Sequence, residues 1–197
     1  MQTQDSLKRA EEYLFRQAGL PVELAGPHPW LAGLLGAYAF LEESLVRDIA
    51  VAGRIPACGP GCAACCRELI PVTPPEIMGL FLWLRHHPEI SLPKPEEEGK
   101  PLMACPLLLN EGCRAYPVRP IACRRFVVFE TPCVNGEQPL RTRPGDVLKP
   151  SRHALAHALR LTLPWYGKDG PAPHEADMAF FAGRSVLLHT LNIFSPR

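Results

Sequence analysis

Four cysteines fall within nine positions, Cys58-Gly-Pro-Gly-Cys62-Ala-Ala-Cys65-Cys66, and Cys105, Cys113, Cys123 and Cys133 follow in a proline-rich stretch. Cysteines two or three residues apart reach one ion when a tight turn joins them, and Gly59, Pro60 and Gly61 favour such a turn. Ala63 and Ala64 add no bulk beside the sulfurs and leave backbone amides free to hydrogen-bond them. A single cysteine reads as a small apolar filler; four so close together do not. Residues 1–12 carry acids where a secretory leader carries basic residues, and no apolar run follows, so a cytoplasmic location is expected. In a reducing compartment, clustered thiols serve as metal ligands or catalytic groups more often than as disulfides.

The flanking sequence reads as helix. Leu7, Ala10, Leu14 and Ala18 recur at helical spacing, and Gly19 with Pro21 stops a helix over residues 5–19. Leu31, Leu34, Leu35, Tyr38, Leu41, Leu45 and Ile49 continue the pattern from Pro29 to about Gly53, with Glu43 and Arg47 paired on the polar side. Thr73-Pro74-Pro75-Glu76 is a capping box that opens a third, nearly all-apolar helix to about His87. Two more helices are expected over residues 151–163 and 174–194. The fold class is mainly α and a single domain over residues 1–197, its helices arranged around an irregular cysteine core at about 55–133.

Prolines concentrate in that core. The chain has 23, about 12% against the usual ~5%, and they recur every few residues from Pro88 to Pro150. Only Phe126 to Glu130 resembles a strand there. Such a segment needs a cross-link other than regular packing, and a metal stapling its cysteines supplies one.

Three segments carry a resemblance: CxxxCxxCCR at 58–67, CPLL at 105–108, and C-x2-YPVRPIACRRF at 113–126. Together they resemble the cysteine-cluster proteins of the YkgJ-like family, of the CxxCxxCC type, over about residues 55–130. The resemblance implies a zinc- or iron-chelating site with Cys58, Cys62, Cys65, Cys66, Cys105, Cys113 and Cys123 as ligands. The chain departs from the family at the first gap, which holds three residues rather than two. Cys133 lies ten residues past the motif and reads equally as an eighth ligand or a plain thiol. Seven or eight thiolates exceed the four of a tetrahedral zinc. Two ions, an iron–sulfur cluster with spare cysteines, and one metal beside a redox-active pair all stay open. Cys65 and Cys66 serve either two centres or, if their turn is helical, one.

Charge fits an anionic centre. Between Cys105 and Arg152 eight basic residues face four acidic ones, and Arg119, Arg124 and Arg67 are candidates to offset thiolate charge. Tyr116 either orders its loop or lines a pocket. His153 and His157 have the i, i+4 spacing of a two-histidine metal face, but no glutamate follows His153 as in the HExxH pattern, and a polar helix face is the simpler reading. A net charge of +1 argues against nucleic acid as a partner, and no apolar stretch approaches the ~20 residues of a membrane span.

The expected function is therefore a metal-binding protein with thiolate coordination. The alternative is a metal- or iron–sulfur-dependent enzyme, either a redox enzyme or one modifying a protein substrate, since some family relatives are associated with protein lysine methylation. Cys58-x3-Cys62-x2-Cys65 matches the three-cysteine spacing of radical S-adenosylmethionine enzymes, but the chain lacks the alternating strands and helices of their usual barrel. A redox sensor built on Cys65 and Cys66 is a third reading.

Overall fold

The computed structural model describes residues 2–68, 70–90, 105–109, 112–162 and 186–187. It is mainly α. Helix α1 spans Gln2–Ala18, α2 Pro29–Ala52, α3 Pro74–His86, α4 Pro139–Thr142 and α5 Arg152–Thr162. The first helix starts three residues before the position its spacing predicts. It buries Phe15 and Ala18 but leaves the expected apolar Leu7 in solvent.

Helix α2 is the central strut. Leu31, Leu34, Leu35, Tyr38, Leu41 and Leu45 are buried along it, as their spacing predicts. It packs chiefly on α5 and on α1 and α3 as well. Gly53, with φ 62°, ends it and donates its N–H to Ile49 O at 3.1 Å. Glu43 and Arg47 meet at 3.9 Å on the exposed side. Where α3 crosses α2, a Cβ on Gly79 would stand 2.6 Å from Leu34 Cδ2, so any side chain there would force Leu34 to shift.

The expected capping box opens α3, with Glu76 Oε2 accepting the Thr73 N–H at 2.8 Å. At the other end the His87 ring meets Trp83 O at 2.8 Å and stacks on the indole, whose Nε1–H donates to Ala18 O at 2.7 Å. The last turn of α3 is thereby tied to the last turn of α1.

Among the described residues the strand pairs are short and antiparallel: β1 Pro71–Val72 with β6 Val186–Leu187, β2 Leu108–Leu109 with β3 Gly112–Cys113, and β4 Val127–Val128 with β5 Val147–Leu148. The strand expected at Phe126–Glu130 is present in shortened form. The helix expected over 174–194 is corrected at Val186–Leu187, which is strand; its remaining residues lie outside the described ones. The apolar run there fits a helix by composition, but β1 offers backbone groups that Val186–Leu187 satisfies by pairing with it.

The proline-rich middle does enter the core, through single residues rather than regular elements. Leu107, Ala115, Val118, Ile121 and Ala122 are buried from loops and from the 3₁₀ turns Tyr116–Val118 and Ile121–Arg124. Among the described residues no helix is long and apolar enough to cross a membrane.

Candidate metal centre

Each cysteine is positioned by a local backbone device. The extra residue in the first gap is absorbed by a turn in which Cys62 N–H donates to Gly59 O at 3.0 Å and Gly61 takes φ 89°, a conformation that suits glycine. Residues Ala64–Arg67 form a 3₁₀ turn closed by Cys66 N–H to Ala63 O at 3.0 Å, so Cys65 and Cys66 sit on the helical backbone that lets neighbours share a site. Cys105 is tied to this turn by its N–H, 2.7 Å from Cys66 O. Cys113 lies on β3, where it pairs with Leu108, and Cys123 lies on the 3₁₀ turn Ile121–Arg124.

All seven cysteines named by the motif line one cavity of about 230 Å³. Its far wall comes from α2, through Glu42, Leu45, Val46 and Ile49. Cys133 is not on this wall; it lines a neighbouring pocket together with Cys58 and Cys62. Among the described residues no group of three or more His, Cys, Asp or Glu side chains already stands in a geometry that holds one ion. The cavity thus gathers the sulfurs, and convergence on an ion needs their side chains to turn.

The chemistry of the donor set fits a soft metal. The Val128 N–H donates to Cys58 Sγ at 3.2 Å, the kind of contact that steadies a thiolate. Burial pushes the Cys58 thiol up to about 11 and that of Cys105 up to about 12, and it raises Cys113 and Cys123 as well. Neighbouring thiols add to these rises in each case. Cys65 moves the other way, to about 7, because the Cys66 thiol hydrogen-bonds it, and Cys66 is raised in consequence. Several sulfurs therefore resist ionising together unless a cation replaces their protons.

Two arginines supply fixed positive charge. Arg124, with its side chain only 1% exposed, donates to Glu42, to Pro117 O at 2.7 Å and to Arg119 O at 2.9 Å. Its guanidinium also lies 4.5 Å from the centre of the Tyr38 ring. Arg119 donates to Glu42 Oε1 at 2.6 Å and stacks 3.9 Å over Tyr116. Both arginines and Tyr116 line the cavity, so Tyr116 both orders its loop and faces the site. With Arg125 and Glu68 also on the wall, three guanidiniums against two carboxylates leave a net positive charge beside the thiols. Arg67, the third candidate, is exposed and is not part of the cavity wall.

Sequence reasoning missed Glu42, because it sits beside the more obvious Glu43–Arg47 pair and its two partners lie 77 and 82 positions away. His153 and His157 are exposed on α5, His157 packs on Phe40 with ring centres 4.3 Å apart, and neither lines the cavity.

Glu42 carries a prediction. Burial pushes its carboxyl up, but Arg124 and Arg119 outweigh this and hold it below its ordinary 4.5. A lowered native value contributes stability above the unfolded carboxyl range and loses it as pH falls through the native value. Because the Glu42 side chain is 46% exposed, solvent screening limits the contribution to about 1 kcal/mol. Urea unfolding of wild type and Glu42→Gln is expected to show this gap at pH 7 and to show it closing under acid; a gap that persists in acid contradicts the assignment.

A helical scaffold that brings seven thiols from separate loops to one cavity, beside a guanidinium pair, defines a cysteine-cluster protein suited to metal binding. Residues 57–140 match the model of the CxxCxxCC family, whose description reads "Putative zinc- or iron-chelating domain". No curated protein and no solved structure matches the chain.

Proposed function

We propose that this protein is a cytoplasmic metal-binding protein that holds zinc or iron through thiolates drawn from Cys58, Cys62, Cys65, Cys66, Cys105, Cys113 and Cys123. The observation that carries the reading is that all seven line one cavity although they span 66 positions of sequence. A soft cation would replace the protons of these clustered thiols, and Arg119 and Arg124 on the same wall offset the remaining negative charge. The ion joins the 58–66 loop to the three later segments, and so supports the irregular middle of the fold. Elemental analysis and an absorption spectrum of anaerobically purified protein test this. Stoichiometric zinc with no visible band, or iron with a sulfur-to-iron band, is expected; substoichiometric metal of either kind contradicts it.

A second reading, a metal- or iron–sulfur-dependent enzyme, draws on the apolar side chains of Leu45, Val46, Ile49, Phe126 and Val127, which line the cavity with the thiols. Such a lining offers an organic group a place beside the metal. A brown protein whose spectrum changes on titration with S-adenosylmethionine favours this reading, and a colourless zinc protein indifferent to it counts against it.

A further inference from the structure

Cys133 stands apart from the seven-thiol cavity, on the loop between β4 and α4. Its own pocket has two sides: the 56–64 loop with Cys58 and Cys62, and the segment holding Pro132, Cys133 and Asn135. Cys58 and Cys62 therefore belong to both pockets, whereas Cys65, Cys66, Cys105, Cys113 and Cys123 belong to the inner one alone.

Backbone bonds hold the two sides of this outer pocket in register. Ala57 N–H donates to Val128 O and Glu130 N–H to Ile55 O, both at 2.8 Å, and Pro56 bridges to Phe129. The residues leading into Cys58 are thus paired with the strand that leads toward Cys133. Arg54 adds a side-chain clamp, reaching Glu130 at 3.0 Å and Asp146 at 2.7 Å.

Each end of the group also has a donor aimed at sulfur. The Val128 N–H meets Cys58 Sγ at 3.2 Å, and the Arg143 guanidinium meets Cys133 Sγ at 3.5 Å while Glu137 fixes it at 2.7 Å. Such donors favour the thiolate over the thiol. Cys58, Cys62 and Cys133 all line this one pocket, two from one side and one from the other.

We infer that Cys58, Cys62 and Cys133 form a second thiolate site that binds its own soft divalent cation, of the zinc class, separately from an ion held by the five inner cysteines. The inference rests on the metal-binding function proposed above. Five inner sulfurs suffice for one tetrahedral ion, so assigning Cys58 and Cys62 outward leaves that centre complete. Three outer thiolates leave the fourth position of a tetrahedral ion to water or an incoming ligand, and their net charge of −1 with a divalent ion faces Arg143. The turn at Pro60 and Gly61 and the residue Pro132 are exposed, whereas Cys105 of the inner set is only 7% exposed, so the outer ion is the more exchangeable of the two.

The test reloads metal-free, reduced protein with zinc chloride, removes excess by dialysis, and follows zinc release into a chromophoric chelator. Wild type is expected to hold two equivalents released in a fast and a slow phase. Cys133→Ala is expected to hold one and to lose the fast phase only. This residue is on a partly exposed loop, and circular dichroism of the variant verifies its fold. Two equivalents retained by Cys133→Ala, or one equivalent in wild type whether kept or lost on substitution, overturns the second site while leaving a metal-binding protein in place. No zinc or iron bound by wild type overturns both readings.

Discussion

Glu76→Leu is expected to lower folding stability by about 2–6 kcal/mol, because two buried N–H groups each lose their acceptor at about 1–3 kcal/mol apiece. Glu76 is fully buried, yet its carboxyl serves two distant parts of the fold. One oxygen caps α3 through the Thr73 N–H at 2.8 Å, and the other accepts the Ile121 N–H at 2.6 Å, at the start of the turn that carries Cys123. Burial raises the carboxyl pKa and the two N–H groups oppose that rise, so the side chain is held by its hydrogen bonds at the expense of its solvation. Leucine fills similar space with no acceptor, which isolates the hydrogen-bond loss from a cavity effect. Glu76→Gln keeps one acceptor oxygen and turns an NH₂ toward the other donor, so an intermediate loss is expected. Urea unfolding followed by circular dichroism measures both. Against a usual margin of about 5–15 kcal/mol the leucine variant is severely weakened, and a wild-type midpoint contradicts the role given to Glu76.

Withdrawing the metal is expected to have the other large effect. A ligand that binds only the folded state at about 1,000 times its Kd adds about 4 kcal/mol, and chains of 150–250 residues shift by about 2–4 °C per kcal/mol. Chelation of the reduced protein is therefore expected to lower Tm on the order of 10 °C. Restoring zinc or iron should reverse the shift. The physical basis is the distribution of the thiols: an ion shared by Cys65 or Cys66 and by Cys105, Cys113 or Cys123 joins loops that otherwise meet through few backbone bonds, among them Cys105 N–H to Cys66 O at 2.7 Å. Differential scanning calorimetry with and without chelator measures it. A Tm insensitive to chelator contradicts any structural role for the ion.

What could be read from sequence alone follows a physical boundary. Helices α2, α3 and α5 were legible because their signals are local: the leucine spacing from Leu31, the capping box at Thr73 and Glu76, and the stop at Gly53. The seven thiols were legible because spacing and flanking RP and CR pairs mark them. The second bond of Glu76, to Ile121, was not, since a capping box already accounts for the glutamate. Glu42 was hidden for the same reason: its role appears only when α2 lies against the 3₁₀ turns that carry Arg119 and Arg124. Val186–Leu187 was read as helix because its apolar neighbours suit one, whereas β1 gives it a strand partner from far along the chain. The partition of the cysteines between two pockets likewise depends on how residues 55–57 pair with β4, a long-range register that local spacing does not encode.

The central claim is that the cavity's sulfurs hold a metal, and X-ray absorption at the zinc and iron edges of anaerobically purified protein tests it most directly. The account predicts a stoichiometric metal whose first coordination shell is dominated by sulfur, at about 2.3 Å if the ion is zinc. A shell of nitrogen and oxygen alone, or no stoichiometric metal at either edge, would contradict it.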